Sequence, residues 1–165
     1  MVYRCYSQKK RGFDIEARQV LADLKENLRL NGLTHVVIAN RYDVEGVTAE
    51  QYKLAKLLVL SEPSCDDAFD ESLPELDELC FTLAVEALPG QYDQRADSAA
   101  QCIQAVTMSD RPSVSYAKVY RFTGKISEAD KLRVKSYLIN PVDSREASPE
   151  KPCTLARCFP ESAPP

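Results

Sequence analysis

"ANRYDVEG" (Ala39–Gly46) and "AKVYRFTG" (Ala117–Gly124) share an alanine, a tyrosine and a glycine at the same offsets. Each falls at the end of a stretch that reads as a strand, and each stops at a glycine. A shift of 78 residues superposes them, and the coincidence spreads outward to Gly12/Gly90, Ala22/Ala100, Val36/Val114, Glu50/Glu128, Lys53/Lys131, Leu54/Leu132, Leu60/Leu138 and Pro63/Pro141. These matches fall on turns, caps and core positions, where a shared backbone would demand particular residues. The chain therefore reads as a duplication.

The order of elements within each copy follows from periodicity. "VYRCYS" (Val2–Ser7) reads as a strand, and Arg11-Gly12 as a turn. Ala17, Leu21, Leu24 and Leu28 then recur at helical spacing, with Asp14 as N-cap and Asn31-Gly32 as the stop. "HVVIANRYDV" is a strand, and "TAEQYKLAKLLVL" a helix capped by Thr48 and closed by Pro63. The second copy repeats this with "CFTLAVEA" (Cys80–Ala87), a Pro89-Gly90 turn, and a helix whose face carries Ala96, Ala99, Ile103 and Val106. "SVSYAKVYRF" and "SEADKLRVKSYLI" complete it, the latter capped by Ser127 and closed by Pro141. The expected fold is α+β: two tandem, pseudo-two-fold related β-α-β-α units with ferredoxin-like halves. A unit of roughly 65 residues has a marginal core, so two would gain by packing together.

The expected boundaries are 1–63 for the first unit, 64–79 for a connector, 80–147 for the second unit and 148–165 for a tail. "SEPSCDDAFDESLPELDEL" (Ser61–Leu79) holds eight acids and no Lys or Arg, against 21 basic and 17 acidic residues elsewhere. It reads as a solvated linker or as a docking strip for a basic partner surface. The tail from Ser148 has five prolines and no periodicity, and is expected to be extended or disordered.

Composition narrows function mainly by exclusion. The 165 residues carry a net charge of −4, which offers no electrostatic reason to bind nucleic acid or an anionic membrane. No apolar run approaches the roughly 20 residues a bilayer needs, and Met1 is not followed by the apolar region of a signal peptide. A cytoplasmic protein is the expectation. Cys5, Cys65, Cys80, Cys102, Cys153 and Cys158 form no CxxC pair, and His35 has no Cys or His at zinc-ligand spacing, so buried reduced thiols are expected. With one histidine and isolated glycines there is no visible triad, phosphate loop or metal cluster, so catalytic, cofactor-binding and metal residues are expected to be absent.

One stretch does look like a site. "PGQYDQRADSAAQC" (Pro89–Cys102) joins a turn, a tyrosine and two aspartates around an arginine. Asp93 reads as the N-cap of the helix that follows, and Ala96, Ala99 and Ala100 allow close packing. Capping needs neither an amide nor a guanidinium, so Gln94 and Arg95 are the candidate docking residues.

"NRYDVEG" (Asn40–Gly46), "LPGQYDQRADSAAQC" (Leu88–Cys102), "AKVYRFTG" (Ala117–Gly124) and "YLINPVDSREAS" (Tyr137–Ser148) closely resemble one family. It is the N-terminal region of the large, single-chain phosphoribosylformylglycinamidine synthases of purine biosynthesis, and the similarity spans about residues 2–150. In that family the region is similar to a fused dimer of the small PurS-type subunit of the split enzyme. The resemblance implies a part of an ATP-dependent ligase that converts formylglycinamide ribonucleotide and glutamine to the amidine. In the family a central synthetase domain binds ATP and magnesium, and a glutaminase domain with a Cys-His-Glu triad releases ammonia. The PurS-like region assembles and positions those two domains, its implied partners. None of their motifs occurs here, so the chain resembles a fragment that stops in the linker after "SREAS". The alternative expectation is a free-standing, small-ligand-binding regulatory module.

Overall fold

The computed structural model describes residues 1–155. The elements run β1 (Val2–Lys9), α1 (Ile15–Asn27), β2 (Leu33–Glu45), α2 (Ala49–Ala55, continued by a π turn, Lys56–Leu60) and β3 (Asp66–Asp70). Then follow β4 (Leu79–Ala87), α3 (Gln94–Thr107), β5 (Ser113–Gly124), α4 (Glu128–Leu138) and β6 (Ser144–Glu146). Over the described residues the protein is α+β, with four α-helices and one six-stranded sheet ordered β3-β1-β2-β5-β4-β6, all of whose pairings are antiparallel.

All four helices lie on one face of that sheet. Val36 and Tyr42 point the same way along β2 because side chains alternate along a strand. Tyr42 packs with Cys5, Val44, Tyr52, Ala55, Leu60, Ala99 and Ile103, the cluster under α2 and α3. Val36 packs with Leu24, Leu30, Leu33, Leu83, Tyr120, Phe122 and Val134, the cluster under α1 and α4. Each helix pair thus covers one half of the sheet's length. The other face carries Ala39, Ala84, Ala117 and Val119, with Ala147 packed on them.

Local chemistry explains most of the helix ends. Thr48 makes a reciprocal capping box with Gln51, and Ser127 accepts from the Asp130 N–H. Asp93 accepts from the Ala96 N–H at 3.0 Å, as expected of an N-cap. Asp14 occupies the equivalent place but makes no cap bond; its carboxylate instead takes the Gly12 N–H and pairs with Arg18. Helix α1 also stops at Asn27 rather than at Asn31-Gly32, because Arg29 turns the chain with φ 56°.

Several other expectations are corrected. The expected strands were four, whereas β3 and β6 add an edge strand on each side. β3 arises inside the acidic stretch, which is therefore not simply a solvated linker: Asp66, Asp67 and Asp70 are neutralised by Lys9, Lys10 and Lys56. On α3 the buried face is Ala96, Ala99, Ala100 and Ile103, whereas Val106 is exposed. Of the thiols described, Cys5 is buried, Cys65 half-buried, and Cys102 and Cys153 exposed, against the expectation of mostly buried cysteines. The tail does not leave at Ser148; residues 148–155 return across the sheet, while Cys158 lies outside the described residues.

Candidate functional site

The two helix pairs leave a cleft of about 570 Å³ on the helix-bearing face. Ser7, Asn40 and Tyr42 line its floor from the central strands, Phe13 and Leu58 its rim, and Arg95 enters from the first turn of α3.

Arg95 is placed by three features of the sequence. Asp93 fixes where α3 begins, and Ala96 and Ala99 bring the helix close to the sheet. The guanidinium then reaches β2 and β5. Its Nη1 donates to the Tyr42 hydroxyl at 3.2 Å, and its Cζ lies 5.2 Å from the centre of the Tyr116 ring. That distance is within cation–π range, worth roughly 0.5–1 kcal/mol for an exposed group. The Tyr42 and Tyr116 rings are 5.3 Å apart at 48°, and the Tyr116 hydroxyl donates to Asn40 Oδ1 at 2.6 Å. Lys118, beside Asn40 on the same face, pairs with Glu16 at the start of α1. Arg95, Tyr42, Tyr116 and Asn40 are thus linked across α3, β2 and β5, and Arg95, Tyr42 and Asn40 of this set line the cleft.

Gln94 is exposed, and among the described residues its side chain makes no hydrogen bond. The two candidate docking residues are thus unlike: Arg95 is built into a tyrosine pair, and Gln94 is free at the surface. Further along, Asp97 accepts from the Tyr92 hydroxyl at 2.8 Å and pairs with Arg111, so this carboxylate is held below its usual range by both partners. Tyr92 and Asp97 therefore tie the turn to the helix.

Burial pushes the Tyr116 hydroxyl up, so it stays protonated and donates. Under α1 and α4 burial pushes Tyr120 up to about 12, and under α2 and α3 it pushes the Cys5 thiol up to about 11. Neither is poised to lose a proton near neutrality. His35 is exposed near the start of β2, where its carbonyl accepts from the Thr123 hydroxyl at 3.4 Å. Among the described residues no group of three or more His, Cys, Asp or Glu could hold a metal ion. No helix among them is long and apolar enough to cross a membrane.

Reading the sequence alone misses the tyrosine pair and Asn40. Tyr42 does stand out as a repeat position, but the register that sets it opposite Tyr116 appears only in the sheet. No protein-family model matches the chain, and neither does any curated protein.

Proposed function

We propose that this chain is a non-catalytic assembly domain of a phosphoribosylformylglycinamidine synthase, built by duplication of a PurS-like unit. It would organise the synthetase and glutaminase domains for ammonia transfer within the cytoplasm. ATP and magnesium belong to the synthetase partner in this reading, and this chain contributes no catalytic residue.

The observation that carries the duplication is the pairing register. Adding 78 to both members of Cys5↔Tyr42 gives Leu83↔Tyr120, which also pair. The same shift turns Ser7↔Ala68 into Val85↔Glu146, again a pair. The central pair Asn40↔Lys118 maps onto itself, as a local two-fold axis between β2 and β5 requires. Gly12, Gly46, Gly90 and Gly124 all have φ between 88° and 114°, so the turns match as well. Such coincidence supports two copies of one backbone, the architecture that the motifs resembling the synthase imply. Arg95 supports docking: its guanidinium is oriented by Tyr42 and Tyr116 yet remains exposed at the mouth of the cleft.

Complementation tests the reading. A synthase of this family lacking its N-terminal region is mixed with the purified chain, and glutamine-dependent amidine formation is followed. Restored turnover with co-elution is the expected result, weakened by Arg95→Ala without loss of fold. Absence of both co-elution and turnover would refute the assignment. The polar cleft favours one second reading, a free-standing module for a small ligand. Saturable stabilisation by a small metabolite, in the absence of any synthase, would support it instead.

A further inference from the structure

The helix-free face of the sheet buries charge. Arg4, Arg41, Asp43 and Arg121 are only 2–6% exposed there. Arg4 and Asp43 form a two-point pair, with Nε to Oδ1 at 2.7 Å and Nη2 to Oδ2 at 2.9 Å. Arg41 and Arg121 form no ion pair among the described residues. Burial, followed by the neighbouring Arg4 charge, holds Arg41 below the usual arginine range, and burial does the same for Arg121. A buried cation needs compensating acceptors, or its desolvation goes unanswered.

Main-chain carbonyls supply them. Arg41 Nη1 donates to the Ser148 carbonyl at 2.9 Å, and Arg4 Nη1 donates to that of Pro149 at 2.7 Å. Arg4 Nη2 adds a longer bond to the Glu150 carbonyl at 3.3 Å. Arg121 Nη2 donates to the Pro74 carbonyl at 2.6 Å. Both segments that receive these bonds contain proline, which has no N–H to offer a strand but leaves its carbonyl free. The geometry is reciprocal. Residues after β6, leaving the second half of the chain, are held by arginines of β1 and β2. The connector leaving the first half is held by an arginine of β5.

We propose that the helix-free face is an interaction surface for extended, proline-containing chain, read through carbonyls by Arg4 and Arg41, with Arg121 holding the connector at Pro74. Its resident partner is this chain's own segment 148–155, a strap that ties the second half to the first. Ala147 N–H donates to the Ala84 carbonyl at one end of the strap, and Leu155 N–H to the Glu45 carboxylate at the other. Lys151 pairs with Glu71 between them. The inference stands on these contacts and does not use the synthase reading.

Hydrogen exchange on the full chain tests it. In the wild type the Ala147 and Leu155 amides should exchange well below the rate of an unstructured peptide; full exchange at that rate would overturn the proposal. Arg41→Met should speed exchange across 147–155 on the order of tenfold, since a charge-assisted bond anchors that segment, while β1, β2 and residues 71–79 keep their rates. Arg121→Met should do the reverse, loosening 71–79 and sparing 147–155. Arg41→Lys, which retains the charge, should fall between wild type and Arg41→Met. Unchanged strap exchange in Arg41→Met would refute the assignment. So would acceleration spread evenly over strap, connector and strands, because the arginines would then support the fold as a whole.

Discussion

Gly124→Ala should destabilise the protein far more than Gly46→Ala, although the two glycines stand at matching places in the chain. Both have positive φ, 114° and 97°, so a Cβ at either meets the left-handed penalty of about 1–2 kcal/mol. At Gly46 little else happens, since the nearest atom to a new Cβ is Pro112 Cα at 3.6 Å, an ordinary contact. At Gly124 the new Cβ would run into the Gly32 carbonyl oxygen, with Thr34 N at 2.8 Å and Leu33 Cα at 3.2 Å. All three are backbone atoms and cannot rotate away. The same crossing holds the Lys125 N–H bond to the Gly32 carbonyl, 2.8 Å, so the chains would have to part there. Overpacking of this kind adds about 1–3 kcal/mol, for roughly 2–5 in all against 1–2 at Gly46. In a domain of this size each kcal/mol moves the melting temperature by about 2–4 °C. Thermal melts by circular dichroism should therefore show a drop of about 4–20 °C at Gly124, against about 2–8 °C at Gly46. Equal drops would mean that the crossing is not tight, and the reasoning would fail.

Urea denaturation should separate the helix caps: Thr48→Ala and Asp93→Ala each lose about 1 kcal/mol, whereas Asp14→Ala, with no cap bond to lose, should cost no more than about 0.5. Asp43→Asn should cost about 3–5 kcal/mol by leaving Arg4 buried and unpaired, and Arg4→Met combined with Asp43→Leu should restore much of it; a double variant as unstable as the single would contradict this. Alkylation at pH 8 followed by mass spectrometry should label Cys102 and Cys153 first. Cys5, its thiol pushed up to about 11, presents roughly one thiolate in a thousand and should react only on unfolding.

The long elements are legible in the sequence because their signals are local. The caps Thr48, Asp93 and Ser127 and the closing prolines 63 and 141 mark helix ends without tertiary help. What escapes is whatever depends on the second partner. "DDAFD" has no β-branched residue and three charges in the neighbourhood of more, so it reads as solvated; it becomes a strand because β1 offers a free edge and Lys9, Lys10 and Lys56 pair with its acids. Val106 reads as core by its spacing, but the buried face of α3 runs through Ala96, Ala99, Ala100 and Ile103 and leaves Val106 exposed. Arg95 reads as a surface arginine until the sheet puts Tyr42 and Tyr116 beneath it. Arg41, Asp43 and Arg121 alternate with apolar neighbours and so read as the wet side of a strand. Only the return of residues 71–79 and 147–155 over that side buries them.

The acidic stretch shows how composition can mislead and then resolve. Eight acids without a lysine or arginine between Ser61 and Leu79 suggest a strip waiting for a basic partner. Four of them already face one: Asp66, Asp67, Asp70 and Glu71 pair with Lys9, Lys10, Lys56 and Lys151. The surplus of base in the rest of the chain is thus partly spent inside the molecule. A row of acids on β3 also suits an edge strand, whose open N–H and C=O groups would otherwise invite another sheet. The Asp66 carboxylate has one oxygen with no well-aligned hydrogen bond, yet that atom sits 3.0 Å from Lys9 Nζ, so the ion pair is the better description. Of the four acids outside those pairs, Glu62 accepts from the Cys65 thiol, while Glu75, Asp77 and Glu78 lie next to Pro74, where Arg121 holds the connector. The run of acids left open to docking is therefore residues 75–78, Glu62 standing apart from it. Neutralising those three positions, rather than those of β3, is the change that would separate partner binding from the integrity of the sheet edge.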